Sequence, residues 1–318
     1  MIQFLGRGVA GFALLLVSYI AVGGLMSAAG APKARGQMVE IEPGRTLRLV
    51  CEGPKSDRPV VWLEAGAFGL AADWGAVQEA LTAAGWRSCA YDRAGMGFSP
   101  PGPSPRDGLA IVSDFEKLIA ASGEPGPYIL VGHSMAGLRL REFAGRNPDK
   151  VAGLVLADAA TPEAAQNPQV RSFIKAFASI SRWAARGASI GLYKPLAHTR
   201  LGDKIDLPPA AKAEKGWAFA SGRHNRTAAE EVGLWAQASA QAGQQPPFDP
   251  KWPVAVVTAG PLAGREAWKE MHAAPARHSE HGMVDHVEAA SHTLLIGRRF
   301  ADHIVRAVAF VADARSKD

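Results

Sequence analysis

The chain has 318 residues, 47% of them hydrophobic and 20% charged, enough apolar material for one large or two small domains and far from the composition of a disordered chain. The formal charge of +5 is scattered along the sequence, with no basic run interleaved with aromatics, which argues against nucleic-acid binding.

In chain order, positions 9–26 carry no charge, Arg7 precedes them, and Ser27-Ala28-Ala29-Gly30-Ala31 follows as a small-residue patch of the kind signal peptidase cuts. Residues 1–36 are therefore expected to form an export signal plus linker. Because about 20 apolar residues suffice to span a bilayer, an uncleaved anchor that associates the N-terminus with a membrane is the second reading. Either way the body of the chain, from about Gln37, belongs outside the cytoplasm, in the periplasm or secreted.

Strand and helix signals then alternate, the pattern of a mostly parallel sheet covered on both faces. Strands are expected at 38–41, 46–51, 60–63, 88–91, 128–131, 154–157, 254–258 and 284–289, with helices at 74–84, 109–122, 135–147 and 300–313. The stretch 161–250, between the sixth and seventh strands, is rich in Ala, Arg, Lys and Trp, with breaks at Gly187, Pro195, Pro208-Pro209 and Pro246-Pro247. A structureless loop of that length is implausible, so a helical lid over the carboxyl ends of the strands is expected, leaving 37–160 and 251–318 as the core.

The run Tyr128-Ile129-Leu130-Val131-Gly132-His133-Ser134-Met135-Ala136-Gly137 passes from an apolar strand through a tight turn into a helical pattern. Ser134 sits at the tip, where strained backbone lifts its hydroxyl clear of the sheet and small residues are needed around it. Ala136 stands where a second glycine is usual, and Gly137 follows one place later. This is a nucleophile's position.

Together with Tyr91-Asp92-Arg93-Ala94-Gly95-Met96-Gly97-Phe98-Ser99 and Val151-Ala152-Gly153-Leu154-Val155-Leu156-Ala157-Asp158, this run resembles the α/β-hydrolases, in the subset reading YDRAGxGxS, over about 38–313. The resemblance implies an eight-stranded, mostly parallel sheet and acyl-transfer chemistry. A serine hydroxyl near neutral pH needs a histidine base and a third group to orient that base. His292 fits as base, because it follows the last strand and comes last in the order serine, acid, histidine. His133 is expected to pack the elbow with its side chain turned away from Ser134. His278, His281 and His286 are expected in a polar loop and match no compact metal pattern, so neither metal nor cofactor is expected.

The acid is the open point. The segment after the seventh strand, 258–266, holds no Asp, which leaves Asp158, after the sixth strand, as first candidate, Glu266 as second, and Asp285 as a weaker third. The oxyanion donors implied by the resemblance are the backbone N–H groups of Met135 and of Ala67, with Phe68 as fallback, in a loop where Ala65-Gly66 replaces the family's His-Gly. The reading is thus an exported serine hydrolase acting on a small-molecule ester or related acyl compound. An aminopeptidase, a cofactor-free perhydrolase, an acyltransferase, or a binding protein that kept only the fold are the alternatives. If the sheet has the family's usual strand order, the second and fourth strands are neighbours and Cys51 can pair with Cys89, as an oxidising compartment allows.

Overall fold

The computed structural model describes residues 2–27, 30–197, 199, 203–264 and 266–316; Ala28 and Ala29 of the small-residue patch lie outside them, as does Arg265. Eight strands form one sheet: β1 (Gln37–Glu42), β2 (Arg45–Glu52), β3 (Val61–Glu64), β4 (Ser88–Tyr91), β5 (Tyr128–His133), β6 (Val151–Ala157), β7 (Val254–Ala259) and β8 (Gly282–Val287). The spatial order is β1-β2-β4-β3-β5-β6-β7-β8. β2 runs antiparallel to β1 and to β4, and every later pairing is parallel.

Alternation along the strands builds two cores, because successive side chains point to opposite faces. Val61, Leu63, Ile129 and Val131 pack with Val77 and Leu81 of α2 (Gly75–Ala83) and with Ile304, Val308 and Val311 of α10 (Ala301–Arg315). Trp62, Tyr128 and Leu130 face the other way, onto Phe115 and Leu118 of α3 (Gly108–Ser122) and Leu140 and Phe143 of α4 (Ala136–Arg146). Trp62 is fully buried there, edge-on to Phe115 with ring centroids 5.4 Å apart.

Between β6 and β7 the chain is helical: α5 (Pro168–Ser189), α6 (Pro209–Ala220), α7 (Gly222–Gly233) and α8 (Trp235–Ala242). Asn167 caps α5 by accepting the Gln169 N–H, and Pro209 opens α6 at a position where its missing N–H costs nothing. Val170, Ile174, Val232 and Trp235 of these helices join Met135 and Leu138 in a third apolar cluster, so the insertion is bonded to the helix that follows Ser134.

Some boundaries differ from the sequence reading. The eighth strand ends at Val287, not at 289: the Val287 carbonyl accepts a last bond from the Gly260 N–H beyond β7 and also the Ala290 N–H, which closes a turn. Gly187 does not break α5; the Tyr193 side chain packs close to it, its hydroxyl 3.1 Å from where a Cβ would sit. The 258–266 region leads into α9 (Glu266–His278). The N-terminal apolar run lies in α1 (Ile2–Ser27), and among the described residues no helix is long and apolar enough to cross a membrane. Cys51 and Cys89 face each other across β2 and β4 and are joined as a disulfide.

Candidate active site

Ser134 joins β5 to α4 with φ of 58°, in the left-handed region that costs an L-residue roughly 1–3 kcal/mol unless its surroundings fix it. Those surroundings are present. The Ser134 N–H donates to the Ala157 carbonyl at 3.2 Å, and the Ser134 carbonyl accepts from Gly137 and Ala160 at 3.2 and 2.8 Å. A side chain at Gly137 would put its Cβ 2.2 Å from the Ala160 carbonyl oxygen, and one at Gly66 would lie 2.8 Å from Ser134 Cβ. Ala136, in the place of the second glycine, is fully buried.

Asp158 follows β6 directly, also at positive φ (44°), and its Oδ2 lies 2.6 Å from His292 Nδ1. An ionised carboxylate only accepts, so Nδ1 carries the proton and Nε2 is left with its lone pair. Oδ1 meets the Ala259 N–H at 3.4 Å, His272 Nδ1 at 3.5 Å and Lys269 Nζ at 3.8 Å. Burial alone would raise the Asp158 carboxyl. The contacts with His272 and His292 outweigh it and hold Asp158 well below the usual carboxylate range. Glu266 is exposed at the start of α9 and accepts from the Gly264 N–H, while Asp285 is taken by His303 at 2.7 Å, so neither second-choice acid meets His292.

His133 does more than pack the elbow. Its Nε2 lies 2.9 Å from the carbonyl oxygen of His292, which makes it the donor there, and the two rings lie tilted by 33° with centroids 4.5 Å apart. Burial, then the nearby His292, push its pKa down to about 3, so it is neutral at ordinary pH. The other histidines separate: His278 ends α9 and contacts the Ala274 carbonyl, whereas His286 lies in β8 with Nδ1 2.7 Å from Thr258 Oγ1.

The loop after β3 is held from both sides. Arg93 Nη1 donates to the Ala65 carbonyl at 2.9 Å and Nη2 to that of Gly66 at 3.0 Å, while Arg139 also reaches the Ala65 carbonyl. Glu64 and Glu231 ion-pair with Arg93 at 3.3 and 2.9 Å. Burial opposes the Arg93 charge, but these two carboxylates more than restore it and raise its pKa. Phe68 has φ of 56°, and its carbonyl accepts from Lys215 Nζ of α6 at 3.0 Å and faces His224 Nε2 of α7 at 3.3 Å. His224 Nδ1 accepts the Gly97 N–H, so Nε2 carries the proton; burial and then Lys215 lower its pKa to about 3. The Asp92-Arg93 pair of the sequence motif therefore has a physical task. Asp92 ties the Ala71 and Phe98 N–H groups together, and Arg93 ties the loop to the insertion.

Gly66, Ala67, Phe68, Ser134, Asp158 and His292 all line one cavity of about 760 Å³. Phe173, Phe177 and Trp235 from the insertion form much of its apolar wall. Met135 caps α4 with its side chain in the apolar cluster below, so the part considered for it is its backbone N–H alone. Lys269, His272, Lys215, His224 and Glu231 were not reached from sequence, since nothing local marks any of them.

A strained serine at a strand-to-helix turn, beside an Asp–His pair on an eight-stranded sheet of this order, defines an α/β-hydrolase. The family profile described as the alpha/beta hydrolase fold matches residues 58–294, and the chain belongs to that family. Among curated relatives, "Probable transporter efuK" of Hormonema carpetanum is 36% identical over 130 residues, 39% of this chain and 18% of that protein. "Esterase PIR7B" of Oryza sativa subsp. japonica is 37% identical over 94 residues, 28% of this chain and 34% of that protein. The chain thus matches well under half the length of either relative. A thermophilic esterase from Thermogutta terrifontis superposes with a TM-score of 0.62 at 18% identity, over 88% of this chain and 100% of that one, a likeness of fold alone.

Proposed function

We propose that the chain is an exported serine hydrolase that cleaves an ester of a small, largely apolar acyl compound through an acyl-enzyme on Ser134. The observation that carries the reading is the 2.6 Å contact between Asp158 Oδ2 and His292 Nδ1 beside a serine at positive φ. In this mechanism His292 Nε2 takes the Ser134 proton as Oγ attacks the carbonyl, and Asp158 stabilises the imidazolium. The tetrahedral oxyanion is held by the N–H groups of Met135 and Ala67, each worth a few kcal/mol of barrier. Collapse expels the alcohol with the proton from His292, and water repeats the sequence to release the acid.

The apolar wall formed by Phe173, Phe177 and Trp235 favours a hydrophobic acyl or alcohol group over a charged one. In the same reading residues 161–250 act as the lid and the N-terminal apolar run directs export, which the Cys51–Cys89 disulfide supports. The test is labelling by a fluorophosphonate probe beside turnover of p-nitrophenyl esters of increasing acyl length. Labelling and turnover should vanish together in Ser134→Ala; a variant that labels as well as the parent protein would overturn the reading.

A further inference from the structure

The outward face of α5 is unusual for a helix that covers a core. Its inner face is ordinary: Val170, Ile174, Ala178, Ser181, Ala185 and Ala188 are buried. Outward, Phe173, Ile180, Trp183 and Ile190 are 53%, 63%, 67% and 61% exposed. At 100° per residue these four fall within one 100° stripe, so they form a single apolar ridge. Arg171, Lys175, Arg182 and Arg186 are all exposed and run as a second stripe along the same helix, and the Arg186 guanidinium lies 4.6 Å over the Trp183 ring.

Between Glu163 and Asp203 the sequence holds six Lys and Arg residues and no Asp or Glu. The surface continues beyond the helix. α1 passes the end of α5 with Gly23 against Pro195, and its Phe12, Leu14, Leu15 and Val17 are each more than 60% exposed. Phe173 belongs both to the ridge and to the cavity wall, so the ridge borders the cavity mouth.

An apolar ridge with a cationic stripe along one flank and the cavity along the other is complementary to a surface that offers hydrocarbon beneath a layer of negative charge. We propose that α5, with α1 beside it, docks on the face of an anionic lipid bilayer, Trp183 and Ile180 lying at the acyl boundary and the arginines among the headgroups. A protein partner would leave the cationic stripe without a matching requirement along its whole length, whereas lipid phosphates satisfy it at every turn. The docking is independent of the catalytic reading.

The test uses the full chain with the environment-sensitive fluorophore NBD on Trp183→Cys, whose thiol is the free one because Cys51 and Cys89 are joined. A second label on Lys150→Cys, at the amino end of β6 and away from the insertion, is the control. Vesicles of phosphatidylcholine with phosphatidylglycerol are expected to shift the emission at 183 to the blue and leave that at 150 unchanged, equally so in a Ser134→Ala background. Arg182→Gln with Arg186→Gln should weaken partitioning onto these vesicles by roughly tenfold or more, with little effect on pure phosphatidylcholine. Three results would overturn the proposal: vesicle binding through α1 with no shift at 183, a shift of equal size on neutral and anionic vesicles, or a lipid-independent shift that accompanies dimerisation.

Discussion

Arg93 and Glu231 stand 138 residues apart in sequence, yet Nε and Nη2 of the arginine meet the carboxylate oxygens at 2.9 to 3.0 Å, with both side chains about 1% exposed. The same guanidinium holds the carbonyls of Ala65 and Gly66. One buried cation therefore joins α7 of the insertion to the loop proposed to bind the oxyanion. Removing one member of such a pair leaves the other charge buried, which costs about 3–5 kcal/mol when nothing else compensates.

Glu64 still faces Arg93 in the Glu231→Gln variant, so the stability loss there should sit at the low end, about 3 kcal/mol or less. Arg93 also loses its tie to α7, so its hold on the loop loosens. Turnover of a small soluble ester should fall by about ten- to a hundredfold with little change in KM, because a misplaced oxyanion donor weakens the transition state rather than the ground state. Thermal unfolding and steady-state kinetics on one preparation check both.

A second expectation concerns the carboxylate. Asp158→Asn should lower kcat by about three orders of magnitude or more, since an amide no longer fixes the His292 tautomer. His272 and Lys269 approach the other oxygen, at 3.5 and 3.8 Å, and orient the carboxylate. His272→Gln should accordingly cost only about tenfold, and Glu266→Gln nothing measurable. Equal losses in Asp158→Asn and Glu266→Gln would refute this assignment.

What was legible in the sequence was local. The Ser134 turn could be read because strand, turn and helix are consecutive, and Asp158 because it ends an apolar strand. His292 needed only its place after the last strand. Arg93, Lys215, His224 and Glu231 could not be read as one assembly, because the contacts that unite them bridge the core and the insertion across more than a hundred residues. His133 was half legible: burial was foreseen, but its bond to the His292 carbonyl depends on how the last loop folds back. The displaced end of β8 reflects an edge strand with half-exposed residues, where the apolar pattern is weak.

The third expectation is acid sensitivity with a definite sign. His133 and His224 have pKa values pushed down to about 3, whereas an unfolded histidine titrates near 6.5. Between those values the unfolded chain binds protons that the folded chain does not, so stability falls as pH falls, by up to about 1.4 kcal/mol per pH unit for each residue. Asp158, with its folded pKa depressed, adds a further loss only below about pH 4. Urea unfolding should therefore show a proton uptake by these two residues that rises from about half a proton at pH 7 to about two at pH 5. His224→Gln should reduce that to about one; an unchanged slope would show that His224 is not held neutral.

The last expectation concerns the disulfide. Cys51 and Cys89 occupy directly opposed positions on β2 and β4, at a sequence separation of 38, so the bond closes a loop that contains β3 and α2. Constraining a loop of that length in the unfolded chain is worth on the order of 3–4 kcal/mol in the chain-entropy account. For a chain longer than 250 residues about 1 kcal/mol corresponds to roughly 1.5–2 °C in Tm, so the paired replacement Cys51→Ala with Cys89→Ala should lower Tm by roughly 5–8 °C. Neither cysteine lines the cavity, and the strands bearing Ser134 and Asp158 are β5 and β6. Fluorophosphonate labelling at a temperature where the variant is folded should thus match that of the parent protein. A variant that keeps its Tm would mean that the unfolded chain is already compact there, whereas one that folds but fails to label would mean that the β2–β4 edge helps to shape the site.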